Sequence, residues 1–187
     1  MTEIEKLSFA DRAKHLGDPD FYKVPEKSLI DSLYLLERSN KINIDSTLLS
    51  SGIYAGEFNL NESEETTHFS IVDEYGNASS LTTTLNGSFG SGIIVDGAGF
   101  LLNNEMDDFS IQPGYPNMYG LIGGEANAVE PSKRMLSSMT PTILEKDGNL
   151  FMVLGTPGGS TIITAVFQTI INVVDYDMSI EQEVNSP

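Results

Sequence analysis

Two adjacent threonines, Thr66 and Thr67, follow an acidic segment and open a stretch that alternates like a β-strand. A hydroxyl becomes nucleophilic only when a base accepts its proton, and a free α-amine on the same residue can be that base. A cut between Glu65 and Thr66 would create this amine without any histidine. Threonine is also common in strands, so an ordinary strand start is the competing interpretation.

A second candidate is the segment Pro157 to Ser160, which directly precedes a strongly apolar stretch. Backbone N–H groups of Gly158 and Gly159 can approach a ligand closely, and the start of a helix adds positive charge. Such donors could stabilise an oxyanion or bind a phosphate. A plain turn in which Ser160 caps the following helix explains the same residues.

A long loop over residues 103–124 carries three carboxylates, Glu105, Asp107 and Asp108. They could bind an ammonium group, coordinate calcium or stay solvated, although the ligand spacing of an EF-hand is absent. Long loops in compact domains are commonly lids or binding loops. The pair Ser137 and Ser138 could bind an anion, but serine pairs are common in loops.

Composition narrows the classes of function. The chain has 187 residues, no cysteine, two histidines and a net charge of −17. Disulfides, thiolate metal sites and a cysteine nucleophile are therefore excluded. The negative charge argues against nucleic acid as a partner. No apolar run reaches the length of a membrane span, and the charged first residues are not a signal peptide.

Periodicity predicts a mixture of helices and strands. A capping box of Thr2 and Glu5 starts a first helix that Gly17 ends, and a second helix covers about 28–39. A third, buried helix is expected over 161–174. Strands are predicted over 66–72, 78–86 and 92–102, and a hairpin over 141–155 turns at Asp147 and Gly148. The predicted fold class is α+β, with a sheet covered by helices.

The first hairpin has a predicted register. If Tyr75 to Asn77 form the loop and Glu74 pairs with Ala78, Thr66 lies opposite Asn86. Thr84 then lies on the same face, one diagonal step away.

These segments together resemble one family. The stretches TTHFS, DEYGNA, LTTTLNGSFGSG, GFLLNNEMDDFS, PNMYGLIGGEANA, KRMLSSMTPTI and GTPGGS are similar, in order, to gamma-glutamyltranspeptidases from Thr66 almost to Pro187. ADR at 10–12 and LGDPDF at 16–21 look like the end of that family's large subunit. The resemblance therefore covers essentially the whole chain.

The resemblance implies an N-terminal nucleophile hydrolase, made as a precursor that cleaves itself at Glu65–Thr66. Residues 1–65 would end the large subunit, as helices plus an acidic linker, and residues 66–187 would begin the catalytic small subunit. The implied fold is a four-layer αββα sandwich, incomplete in this chain. Further large-subunit sequence, which contains the family's carboxylate-binding arginine, would be needed for a complete site.

The resemblance also implies roles for individual residues. Thr66 would be the nucleophile, Thr84 would orient it, and the amides of Gly158 and Gly159 would form the oxyanion hole. The substrate-binding residues would be Asn86, Glu105 and Asp108 for the α-amino end, Ser137 and Ser138 for the α-carboxylate, and Tyr119 in a lid at about 113–124.

The implied activity is γ-glutamyl transfer from glutathione and similar small molecules to water, amino acids or peptides, through a γ-glutamyl-threonine ester. No metal or organic cofactor is implied, and no membrane insertion of this chain. Periplasmic or extracellular localisation follows from the resemblance. Two alternatives stay open: a glutaryl-type acylase of the same superfamily, and an inactive, unprocessed fragment that retains only binding or a subunit contact.

Overall fold

The computed structural model describes residues 1–47 and 66–186. The chain divides into two units, the first built from Met1–Asn61 and Glu105–Ser137, the second from Glu62–Asn104 and Ser138–Pro187. The first unit thus combines residues from both sides of the predicted cut. Glu65 lies outside the described residues, and the division into segments 1–65 and 66–187 stays a prediction.

The first unit begins with helix α1, Thr2–His15. The predicted capping box is wrong, because Met1 is the N-cap and Thr2 is already helical. Leu16, in extended conformation, ends the helix. Gly17 serves close packing instead: a Cβ at this position would overlap the carbonyl oxygen of Ala126.

The predicted helix over 28–39 is interrupted. The structure has two helices, α2 over Glu26–Leu29 and α3 over Ser32–Ser39. Asp31 separates them because its carboxylate accepts hydrogen bonds from the backbone N–H groups of Leu33 (3.0 Å) and Tyr34 (3.1 Å). An aspartate that caps a new helix competes with continuation of the old one.

Ion pairs and hydrogen bonds hold α3 to α1. Arg38 Nη2 donates to Asp11 Oδ1 at 2.8 Å and to the carbonyl of Leu7 at 2.7 Å. Tyr34 Oη donates to the other carboxylate oxygen of Asp11 at 2.8 Å. The apolar core of the first unit consists of Leu7, Phe109, Tyr119 and Ala126.

The most strongly bonded carboxylate of the first unit is Asp18, in the turn predicted over 17–21. It is only 4% exposed and accepts hydrogen bonds from Arg134 N (2.9 Å), Nε (3.0 Å) and Nη2 (2.6 Å). These bonds hold the pKa of Asp18 well below its ordinary value of 3.8. The contact joins the N-terminal helices to the segment 105–137.

The second unit contains two antiparallel hairpins. Strands β1, Thr67–Val72, and β2, Ala78–Thr83, form one; β3, Thr142–Lys146, and β4, Asn149–Leu154, form the other. The predicted turn at Asp147 and Gly148 is confirmed, and both residues have positive φ, 54° and 74°. Such angles are typical of a two-residue hairpin turn.

The predicted register of the first hairpin is wrong by two residues. Thr67 pairs with Thr83 and Val72 with Ala78, so the loop runs from Asp73 to Asn77. The longer loop forms because Asp73 Oδ1 accepts hydrogen bonds from the N–H groups of Tyr75 (2.9 Å) and Asn77 (2.8 Å). Extending the observed register by one pair sets Thr66 opposite Thr84.

Residues 92–102 do not form the predicted strand. The only strand-like pairing among these residues is one isolated β-bridge between Ile94 and Leu101. Gly97 and Gly99, with φ of 77° and 75°, turn the chain back on itself between these residues. Glycine adopts such angles without steric cost, so the apolar run becomes a tight turn.

The second unit ends in helices α4, Ile162–Val174, and α5, Ile180–Val184. Helix α4 confirms the predicted buried helix, with Ile162 and Val166 almost fully buried. The fold is thus mixed helix and sheet, as expected of the α+β class. Within the described ranges, no helix is both long and apolar enough to cross a membrane.

The Asp18–Arg134 contact predicts a specific pH dependence. Asp18→Asn removes an ionised acceptor and should lower the melting temperature by a few degrees at pH 7. Because the folded pKa of Asp18 is depressed, its stabilisation exists above the unfolded value and disappears as the pH falls. The difference from wild type should therefore shrink below about pH 4, as measured by thermal unfolding at a series of pH values.

The matched control is Asp20→Asn. Asp20 also contacts Arg134 Nη2, at 2.5 Å, but its side chain is 73% exposed. An exposed ion pair contributes little, so this variant should melt close to wild type. Equal effects of the two substitutions would contradict the assignment.

Candidate active site

Thr66 lies at the start of the first hairpin and is only 8% exposed. The hairpin register brings Thr84 opposite it, although the sequence placed Asn86 there. Thr84 Oγ1 accepts a hydrogen bond from the N–H of Asn86 at 2.9 Å. A hydroxyl that accepts in this way can still donate its own proton to a group facing it. Continued by one pair, the register sets Thr66 and Thr84 opposite each other, next to the pair of Thr67 with Thr83.

The turn after β2 is fixed by Asn86 and Asn104. Asn86 is buried, has φ of 70°, and donates from Nδ2 to the carbonyl of Asn104 at 3.3 Å. Asn104 Oδ1 in turn accepts from the N–H of Gly87 at 2.9 Å. Sequence reasoning selected Asn86 but missed Asn104, whose contact spans 17 positions of the chain.

The glycine turn at 155–159 lies beside the same hairpin. Ser70 Oγ and Ser80 Oγ donate to the carbonyls of Val153 (3.2 Å) and Leu154 (2.9 Å), at the end of β4. The imidazole of His68 occupies the space where Gly155 lacks a side chain. The segments that carry Thr66 and the glycine pair are thus packed against each other.

Gly158 and Gly159 both have positive φ, 136° and 55°. A Cβ at Gly158 would lie 2.9 Å from Thr161 Oγ1, so glycine is required there for space as well as for conformation. A short 3₁₀ helix, Gly159–Thr161, leads into α4. The alternative in which the Ser160 side chain caps α4 is wrong, because Thr161 is the N-cap residue and makes no side-chain capping bond.

The acidic residues form a 3₁₀ helix, Glu105–Asp108, in the first unit. They differ in role. Asp107 Oδ2 accepts a hydrogen bond from the N–H of Met118 at 2.8 Å and so holds the loop predicted as a lid. Asp108 instead lines a cavity of about 20 Å³, together with Arg12 of α1. That volume accommodates one water molecule.

Opposing influences act on the pKa of the Asp108 carboxyl. Burial raises its pKa to about 6, and the neighbouring carboxylates of Glu105 and Asp107 act in the same direction, while Arg12 opposes them. Burial also raises the pKa of Glu105. The Asp108 carboxyl is therefore largely ionised at neutral pH and becomes neutral on mild acidification.

Arg12 was not selected as a site residue, although it belongs to the ADR motif. Its Nη2 lies 3.5 Å from the carbonyl oxygen of Ser137. Asn127 connects the same region: its Nδ2 donates to the carbonyl of Asp108 at 2.7 Å, and its Oδ1 accepts from the N–H of Leu136 at 3.0 Å. The sequence alone could not reveal the contacts of Arg12 and Asn127, because their partners lie far away along the chain.

The predicted lid contains a defined turn. Asn117 Oδ1 accepts hydrogen bonds from the N–H groups of Tyr119 (3.0 Å) and Leu121 (2.9 Å). Tyr119 is 9% exposed, so its ring belongs to the core of the first unit. The predicted site residues thus fall in two groups, Thr66, Thr84, Asn86, Ser138, Gly158 and Gly159 in the second unit and Glu105, Asp108, Tyr119 and Ser137 in the first.

Comparison with solved structures defines the class of protein. The chain superposes on a mutant of Helicobacter pylori gamma-glutamyltranspeptidase with a TM-score of 0.63 and 61% identity, covering 65% of this chain and 65% of that one. Over that part of its length, the chain shares its fold with this enzyme.

Sequence comparison gives the family. The gamma-glutamyltranspeptidase family model matches residues 1–187, and the chain belongs to this family. It is 51% identical to the glutathione hydrolase proenzyme of Escherichia coli, over all of this chain and 32% of that protein. It is also 36% identical to the acylase ACY 1 proenzyme of a Pseudomonas species, over 31% of that protein. The chain thus spans about a third of the length of these relatives.

The balance at Asp108 predicts a measurable titration. In a carbon-13 NMR titration, its carboxyl should have a midpoint near pH 6. Arg12→Met removes the cation that opposes the rise, so the midpoint should move to higher pH. Lys14→Met, which removes an exposed cation from the same helix, should leave it in place. A midpoint near 4 in wild type, or equal shifts in both variants, would contradict this account.

Proposed function

We propose that this chain carries the catalytic centre of a gamma-glutamyltransferase with glutathione hydrolase activity. The observation that carries the proposal is the register of the first hairpin, whose outermost pair, Thr67 with Thr83, directly adjoins Thr66 and Thr84, in a chain of the gamma-glutamyltranspeptidase family. Relatives named glutathione hydrolase proenzyme support the same activity here. These relatives are named as proenzymes, which supports proteolytic processing of this chain as well.

Self-cleavage at Glu65–Thr66 frees the α-amine of Thr66. This amine accepts the proton of the Thr66 hydroxyl, which attacks the γ-carbonyl carbon of the donor. Thr84, opposite it, donates a hydrogen bond that orients the nucleophile. The scarcity of histidine and the absence of cysteine are consistent with this choice of base.

The tetrahedral intermediate places negative charge on the former carbonyl oxygen. The N–H groups of Gly158 and Gly159 donate to it, and the positive φ angles of this turn support the role because only glycine adopts them without strain. Collapse of the intermediate breaks the C–N bond, and the proton held by the amine leaves with the product. Water or the amine of an amino acid or peptide then attacks the γ-glutamyl-threonine ester, the ester C–O bond breaks, and Thr66 regains its hydroxyl proton as the γ-glutamyl group leaves with the acceptor.

Substrate recognition falls to charged and polar residues. Glu105, Asp108 and Asn86 bind the α-ammonium group, and the negative charge that Asp108 carries at neutral pH supports its role. Ser137 and Ser138 bind the α-carboxylate, and Tyr119 belongs to the lid. Because the pKa of Asp108 is about 6, donor binding should weaken as the pH falls below that value.

The proposal includes a larger architecture. Residues 1–65 and 66–187 contribute to a four-layer αββα sandwich that further large-subunit sequence completes, including the arginine for the substrate carboxylate. Glutathione and related γ-glutamyl compounds are the proposed partners, and the periplasm or the extracellular space is the proposed location. The mechanism uses no metal or organic cofactor.

One relative favours a second candidate. The 36% identity with a protein named acylase ACY 1 proenzyme supports an acylase as the alternative, and we consider a glutaryl-type acylase that would also use Thr66. The two acidic residues distinguish the substrates, because a plain glutaryl group has no ammonium for Glu105 and Asp108 to bind. Release from a γ-glutamyl amide but not from a glutaryl amide supports the transferase.

The test uses the full-length protein with a chromogenic γ-glutamyl amide. Wild type should give two fragments, one with Thr66 at its N-terminus, and release the amine. Thr66→Ala should give neither, with release reduced by about 10³-fold or more. Thr67→Ala, a change at the exposed neighbouring position, should behave like wild type. An intact wild-type chain without release would leave only the non-catalytic alternative.

A separate variant addresses the orienting role of Thr84. Thr84→Ala should slow both self-cleavage and amine release, by roughly tenfold to a hundredfold. Fragment formation followed by gel electrophoresis over time measures the first, and the chromogenic assay the second. A variant that processes at the wild-type rate would remove Thr84 from the mechanism.

A further inference from the structure

Thr161 makes an unusual double contact with the glycine turn. Both its Oγ1 and its backbone N–H donate to the carbonyl oxygen of Gly158, at 2.8 Å and 3.0 Å. The backbone bond closes the 3₁₀ turn. The hydroxyl adds a second donor on the same oxygen, so the carbonyl of Gly158 is held from two sides.

That carbonyl belongs to the same peptide unit as the N–H of Gly159. A trans peptide is planar, and its C=O and N–H point in opposite directions. Fixing the oxygen therefore also fixes the direction of the Gly159 N–H. The unit lies between two glycines, where the backbone rotates most freely, so this peptide is the one in the turn that most needs restraint.

Thr161 is itself anchored. Thr164 Oγ1 donates to the carbonyl of Thr161 at 2.9 Å, and the next residue, Ile162, is only 2% exposed. The absent Cβ of Gly158 leaves the space that Thr161 Oγ1 borders. A rigid helix start thus supports a hydroxyl aimed at one glycine peptide.

We propose that Thr161 is a positioning residue for the oxyanion hole: its hydroxyl locks the Gly158–Gly159 peptide so that the Gly159 N–H points permanently at the developing oxyanion. This inference rests on the proposed function. The proposed role depends on the hydroxyl group of Thr161 and not on the size of its side chain. The hydroxyl touches neither the substrate nor the nucleophile in this role.

Thr161→Val is the direct test, because it keeps the branched shape and removes only the hydroxyl. In the full-length protein, kcat per processed molecule should fall roughly tenfold to a hundredfold. This decrease is no larger than the one caused by removing a whole oxyanion donor. KM for the γ-glutamyl amide should stay within about twofold, because ground-state binding does not use the oxyanion hole. Thr161→Ser should restore most of kcat.

A second readout separates this role from a structural one. A γ-glutamyl boronic acid that forms a tetrahedral adduct with the nucleophile should bind more weakly to Thr161→Val by about the factor lost in kcat. Thr169→Val is the matched control: it lies on the same helix and loses a hydroxyl bond of 3.0 Å to Glu183, far along α4. Its kcat and boronate affinity should match wild type.

The outcomes are distinguishable. Wild type that neither processes nor releases amine overturns the proposed function itself. Active wild type with unchanged kcat in Thr161→Val overturns the role of Thr161, as does a loss that Thr169→Val reproduces. A raised KM at constant kcat, or failure of Thr161→Ser to recover, overturns it too.

Discussion

The pairing register of the first hairpin is the constraint on which the site in the second unit depends. Side chains alternate across a strand, so every residue that faces Thr66 is chosen by the length of the loop at its other end. Asp73 sets that length through its bonds to Tyr75 and Asn77. A surface carboxylate in a turn therefore sets the register that decides which residue comes opposite the buried Thr66, seven residues and roughly 23 Å away along the strand at about 3.3 Å per residue.

The two units solve different physical problems. The second unit orients neutral groups, hydroxyls and peptide N–H donors, by packing a helix start and a hairpin around glycines. The first unit handles charge: it keeps Asp108 partly desolvated, with acidic neighbours on one side and Arg12 on the other. The net charge of −17 contributes little to the raised pKa of Asp108, because burial and the nearest carboxylates, not the total charge of the chain, cause the shift.

Hydrophobic periodicity and turn preferences allowed much of the fold to be predicted, while the failures arose where a side-chain bond, a glycine angle or a long-range contact decided the structure. Asp147 and Gly148 define their hairpin turn by their own backbone preferences, and the apolar residues of α4 define a buried helix. The helix break at Asp31, the turn within 92–102 and the loop at Asp73 each depended on a side-chain bond or glycine angle that periodicity does not reveal. The choice of site residues came from family resemblance and stays a prediction. Arg12 and Asn127 escaped notice because only the folded chain brings them to Asp108.

The first unit is built from two separate stretches of the chain, and this arrangement bears on what cleavage at Glu65–Thr66 would do. Residues on both sides of Glu65–Thr66 build this unit together, and the buried Asp18 is bonded to Arg134 across that point in the sequence. Hydrolysis of one peptide bond between them would change the covalent connectivity but not the packing. Separation of the two segments would therefore require the first unit to unfold.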